Sequence, residues 1–182
     1  MMQMLRAGGI QPMTDEVRQP DLHNSNGYLE FERVRHLAAD NTWLSQVRGM
    51  ALKVIVQLVP FLPTGNQYRF LFVQRDINEI IQSQESMLVS LGSPPLAIKD
   101  LEPILIGMFQ GAIEFAEHHP DTRFEVIEHR KLISLPFESA RQIVTFLGRA
   151  DLDLSAMAGA VDPRLHRNRG ISECCGTIPI TG

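Results

Sequence analysis

Arg75, Asp76 and Ser83 are the residues whose types and spacing best suit chemistry. Arg75 directly follows an apolar run at 68–74, Asp76 opens a helical pattern, and Ser83 lies two turns along it. In open α/β sheets ligands bind at the carboxyl ends of parallel strands. An arginine there presents a rigid fork of donors that matches a phosphate. A serine on the following helix adds a hydroxyl donor, so the two side chains can clasp one phosphate between them. The competing reading keeps Arg75 as a surface cation and Ser83 as a hydroxyl on a helix face.

Other candidates point to packing rather than chemistry. Glu30 and Glu32 are spaced two apart, which puts them on different helix faces. Trp43 can line a ligand pocket, but a lone tryptophan more often packs in a core. His118 and His119 end a helical pattern, where positive charge is favoured. There is no His-Glu-x-x-His and no Cys/His cluster, so no metal site is expected. The strained Gly-x-Ser-x-Gly turn of a hydrolase is missing as well.

The elements that must position Arg75 and Ser83 follow from periodicity. Residues 51–59, 68–74 and 123–128 are continuous apolar or β-branched runs that predict buried strands, with a further short strand at 10–13. Helical spacing predicts helices over 76–91, 101–118 and 137–147, with shorter ones at 27–38 and 153–161. Asp76 with Glu79 resembles a capping box, and Gly148 is a helix stop. Loops are expected at 60–67 and 92–100. Alternating strands and helices imply βαβ units and a parallel sheet, the α/β class.

The opening is unusual. Met1, Met2, Met4 and Leu5 are apolar at helical spacing, and Gly8-Gly9 closes the segment like a C-cap. A helix starting at residue one leaves its first N–H groups without partners, which fits either a frayed terminal helix or the absence of a preceding strand and loop.

The chain has 182 residues, 44% hydrophobic and 21% charged, with a net charge of −4. That length supports one domain with one core. The domain is expected over 1–170, with a poorly ordered tail over 171–182. A net negative charge without a basic run argues against nucleic acid and against a polybasic membrane patch. No apolar stretch reaches the length of a membrane span. The two cysteines, Cys174 and Cys175, are neighbours and give no disulfide framework. A reducing, cytoplasmic setting is therefore expected.

The run Arg75-Asp76-Ile77-Asn78-Glu79-Ile80-Ile81-Gln82-Ser83 resembles the 3′-phosphate motif of sulfotransferases that use 3′-phosphoadenosine 5′-phosphosulfate (PAPS). It departs from many members at Ile77, where they carry a first-turn proline. Met2-Gln3-Met4-Leu5-Arg6-Ala7-Gly8-Gly9 resembles the helix that follows their phosphosulfate loop. Asn26-Gly27-Tyr28-Leu29-Glu30-Phe31-Glu32, Val161-Asp162-Pro163 and Arg167-Asn168-Arg169 extend the similarity over roughly residues 1–170.

The resemblance implies a three-layer parallel sheet of the P-loop nucleoside-triphosphate-hydrolase-like type, with its first strand and P-loop missing. It implies sulfuryl transfer from PAPS to a hydroxyl or amine of a small molecule or protein. The phosphosulfate in such enzymes sits on a Gly/Ser/Thr-rich loop at a helix N-terminus, and this sequence contains no such loop. The expectation is therefore a sulfotransferase-like protein inactive as it stands, or a non-catalytic interaction protein of the same fold. Losing a central strand would strip its neighbours of hydrogen bonds and leave a gap. A kinase relative using ATP fits less well, because no Asp ends the run 51–59 to hold Mg²⁺.

Site roles follow from the same likeness. Arg75 and Ser83 would hold the 3′-phosphate, and Asp15, with Glu16 beside it, would stand where a catalytic base is found in protein-tyrosine sulfotransferases. Arg18, Arg167 and Arg169 would be further phosphate contacts. The alternatives are a surface turn at Thr14-Asp15-Glu16 and a solvated basic turn at 167–169.

Overall fold

The structure, a computed structural model, describes residues 1–15, 17, 27–90, 92 and 98–163. Its elements in chain order are helix α1 (Met2–Ala7), strand β1 (Arg69–Gln74), helix α2 (Ile77–Ser90), helix α3 (Ile98–His118), strand β2 (Arg123–Glu128), and helices α4 (His129–Ser134), α5 (Pro136–Leu147) and α6 (Leu154–Gly159). Three short 3₁₀ helices, Glu32–His36, Thr42–Val47 and Val56–Phe61, fill the stretch between α1 and β1. No helix among the described residues is long and apolar enough to cross a membrane.

The sheet is small. β1 and β2 pair in parallel and in register, from Arg69 opposite Arg123 to Gln74 opposite Glu128. They hydrogen-bond directly, so the expected gap does not lie between these two strands. Alternation along each strand divides the side chains between two faces. Phe70, Phe72, Phe124 and Val126 meet a cluster holding Val34, Leu37, Trp43, Val59, Leu62 and, from α3, Phe109, Ala112, Ile113 and Ala116. Leu71 and Ile127 meet a second cluster built from Met4, Leu5, Leu132, Ala140, Ile143, Leu152 and Met157. Both faces are covered, as continuous apolar strand runs require. Phe72 makes edge contacts with Phe109 at 5.8 Å and Phe124 at 6.0 Å, locking α3 over the sheet.

Two predicted strands differ. Of the run 51–59, only Ala51 pairs, in an isolated parallel bridge to Pro12, with Met13 N–H to Ala51 O at 2.8 Å and Ala51 N–H to Gln11 O at 2.9 Å. Val56–Phe61 is instead a 3₁₀ helix containing Pro60. An apolar run does not by itself distinguish a buried strand from a buried helical turn, and Pro60 has no N–H to give a ladder. The 10–13 strand likewise shrinks to that one bridge. In a parallel bridge the flanking residues, here Gln11 and Met13, make the bonds, so the missing N–H of Pro12 is tolerated.

The predicted helix 27–38 shortens to Glu32–His36, because Gly27 (φ 78°) and Leu29 (φ 47°) hold left-handed backbone that no α-helix accommodates. The loop at 60–67 begins later, since Pro60 and Phe61 close a 3₁₀ turn. α3 starts at Ile98, inside the predicted loop 92–100, and α4 is an element the periodicity did not announce. The predicted tail at 171–182 lies outside the described residues.

The glycine stops were legible. Gly9 (φ 106°) ends α1 with Ile10 N–H on Leu5 O at 2.9 Å and Gly9 N–H on Arg6 O at 3.1 Å, a Schellman pair. Gly148 (φ 65°) ends α5 in the same manner. At Gly8 the constraint is proximity, because an added Cβ would stand 2.5 Å from Met157 Cγ and 2.8 Å from its Sδ. Met157 is fully buried, so it has little room to yield. Gly8→Ala is expected to destabilise by about 1–3 kcal/mol through overpacking, read as a lower urea midpoint. An unchanged midpoint would mean that α1 does not pack on α6 this closely.

Candidate functional site

The site is built where β1 and β2 end. Because the strands run parallel, their carboxyl ends share one rim, and the two chain segments leave it as Arg75-Asp76 and His129-Arg130. Asp76 caps α2. Its Oδ1 accepts the Asn78 N–H at 2.9 Å, and its carbonyl accepts the Ile80 N–H at 3.1 Å.

Glu79, one turn into α2, is only 1% exposed. Its Oε1 accepts from Arg130 Nε at 3.1 Å and Nη2 at 3.0 Å. Arg130 Nη2 also reaches Asp76 Oδ2 at 3.4 Å. On the other side of the carboxylate, Arg75 Nη2 stands 3.9 Å from Glu79 Oε2. That distance is an ion pair without a hydrogen bond. Arg75 Nε is buried and has no hydrogen-bond partner among the described residues. Two guanidinium groups thus flank one buried carboxylate across the β1–β2 seam.

Ser83 follows Glu79 by four residues in α2, on the same helical stripe and about 6 Å further along the axis. Its side chain is half-buried. Arg75, just ahead of α2, reaches Glu79, and Ser83 follows Glu79 one turn later; no contact joins Arg75 to Ser83 among the described residues. The arrangement offers a partly exposed cation and a hydroxyl at a sheet rim, a donor set suited to an oxyanion.

Asp15 makes other contacts. Its Oδ2 accepts the Glu32 N–H at 2.7 Å and its Oδ1 the Val17 N–H at 3.2 Å, so it caps the 3₁₀ helix Glu32–His36. Glu16, Arg18, Arg167 and Arg169 lie outside the described residues.

The remaining candidates have structural partners, although Glu30 precedes the 3₁₀ helix rather than sharing one with Glu32. Glu30 pairs with Lys53 at 2.7 Å and Glu32 with Arg35 at 3.1 Å. Trp43 is a core residue, 1% exposed, rather than the wall of an acceptor pocket. Its indole N–H donates to Asp40 O at 3.0 Å. The Thr42 hydroxyl, the Arg33 guanidinium and the Thr42 N–H hold the Asp40 carboxyl down to about 2. His118 and His119 each place Nδ1 2.8 Å from a carbonyl one turn back in α3.

Arg130 and the bridging part played by Glu79 escaped the sequence reading. The available signal was positional, since Arg130 stands two residues beyond one strand and Arg75 one residue beyond the other. A surface depression lined by Glu125, Glu138, Arg141 and Gln142 does not include the rim residues. No family model, no curated protein and no solved structure matches this chain.

Proposed function

We propose that this chain is a sulfotransferase-like protein of the P-loop three-layer type whose β1–α2 rim binds the 3′-phosphate of PAPS or of its product, adenosine 3′,5′-bisphosphate. The observation that carries the reading is Arg75 at the carboxyl end of a parallel strand, its side chain 31% exposed and its Nη2 in only a loose 3.9 Å contact with Glu79. Such a guanidinium keeps donors in reserve for an anion. Ser83, on the same stripe of α2, adds its hydroxyl. Arg167 and Arg169 would add charge at the same phosphate, and Asp15 would take the acceptor's proton. Residues 1–182 contain no Gly-rich phosphate loop, so sulfuryl transfer with Asp15 as base would need a phosphosulfate-binding loop that these residues do not supply.

Titration calorimetry on the whole chain tests this. Adenosine 3′,5′-bisphosphate should bind more tightly than ATP, and Arg75→Ala should weaken it by roughly tenfold. Tighter binding of ATP, or an Arg75→Ala variant that binds like the parent, would sink the assignment.

A second reading, a non-catalytic interaction protein of the same fold, is favoured by Asp15. Both of its carboxylate oxygens are occupied by backbone N–H groups, which suits a cap better than a proton acceptor.

A further inference from the structure

We infer that Arg130 supplies a second guanidinium to the phosphate held by Arg75, so that the rim binds its anion between two arginines contributed by two different strand ends. This rests on the reading of the Arg75 rim as a phosphate site.

The geometry carries it in three steps. First, both guanidinium groups contact the same carboxylate, Arg130 at 3.0 Å and Arg75 at 3.9 Å, so they stand close to one another. Second, Glu79 engages Arg130 through Nε and Nη2, and Asp76 takes Nη2 again. The Nη1 edge carries no hydrogen bond among the described residues, and the side chain is 46% exposed. Arg130 is thus fixed in orientation by one edge and open to solvent by another, the pre-organisation that lowers the cost of binding.

Third, within the Arg75–Asp76–Glu79–Arg130 cluster the exposed charge is positive. Arg75 is 31% and Arg130 46% exposed, whereas Asp76 is 16% and Glu79 1%. These two carboxylates face inward and the guanidiniums face out, while the exposed Glu128 at the end of β2 is paired with Lys131. A structural ion pair for Glu79 would need Arg130 alone, and a second arginine at 3.9 Å adds desolvation without a hydrogen bond. A phosphate, with three acceptor oxygens and close to two negative charges, uses two forks at once.

The test compares adenosine 3′,5′-bisphosphate with adenosine 5′-monophosphate, which lacks the 3′-phosphate, on the full chain. Arg130→Lys keeps a cation beside Glu79 and so keeps the fold, which circular dichroism melting verifies. The parent should prefer the bisphosphate, and Arg130→Lys should cut that preference by roughly tenfold through loss of the fork. An unchanged preference, or equal weakening of both nucleotides, would overturn the part given to Arg130 while leaving that of Arg75 intact. If the parent shows no preference, or Arg75→Ala leaves it unchanged, the phosphate reading itself fails and this inference with it.

Discussion

Arg130→Ala is expected to lower stability by about 2–3 kcal/mol, whereas a paired Glu79→Met/Arg130→Met variant should lie within about 1 kcal/mol of the parent. The reason is asymmetry. Glu79 is almost wholly buried and takes two hydrogen bonds from Arg130 on one oxygen. Truncating the arginine removes both of those hydrogen bonds from a buried carboxylate that keeps Arg75 only at 3.9 Å, and losing one side of a buried pair costs more than the pair contributes. The figure sits below the usual range for a fully buried pair because Arg130 is itself 46% exposed and its share is partly screened. Arg75→Ala should cost less, under about 1 kcal/mol, since its contact with Glu79 is 3.9 Å. Urea denaturation of the four proteins reads the effect. Should Arg130→Ala match the parent midpoint, the Glu79–Arg130 bond is not holding the seam.

Trp43→Ala should be the most damaging single change in the other half of the molecule, at about 3–5 kcal/mol. The ring is 1% exposed and belongs to the cluster that covers the Phe70/Phe72 face of the sheet. Phe31 meets it edge-on at 5.0 Å, and Arg33 lies over it at 5.8 Å. Its N–H also ties the ring to Asp40 O, just ahead of the 3₁₀ helix Thr42–Val47. Trp43→Phe fills part of the volume and loses that bond, so about 1–3 kcal/mol is expected. Trp43 is the one tryptophan of the chain, so circular dichroism rather than fluorescence must follow the unfolding. A Trp43→Ala loss below about 1 kcal/mol would place the ring outside the core.

The local elements near the site were readable because their signals are short-range. The 3.6-residue period of Ile77, Ile80 and Ile81 gave α2, and Asp76 gave its cap. Gly9 and Gly148 stop their helices by adopting left-handed backbone, a property of the residue itself. The strands at 69–74 and 123–128 follow from β-branched and aromatic runs flanked by polar residues. By contrast, 51–59 is a comparable apolar run, yet only Ala51 bridges and Val56–Phe61 forms a 3₁₀ turn. Burying Val59 and Leu62 against α3 required only apolar side chains, and such a requirement does not specify a backbone conformation.

What the sequence alone determined was Arg75 at the end of an apolar strand, with Ser83 two turns into the helix beyond it. What only the tertiary structure decided was the partnership of Glu79 with Arg130, residues 51 apart in the chain. That contact exists because two parallel strands in register bring their carboxyl ends to one rim. Periodicity and capping act within a few residues, whereas the pairing of strands is settled by the burial of both sheet faces at once. A charged pair formed across such a seam therefore leaves no spacing to be read.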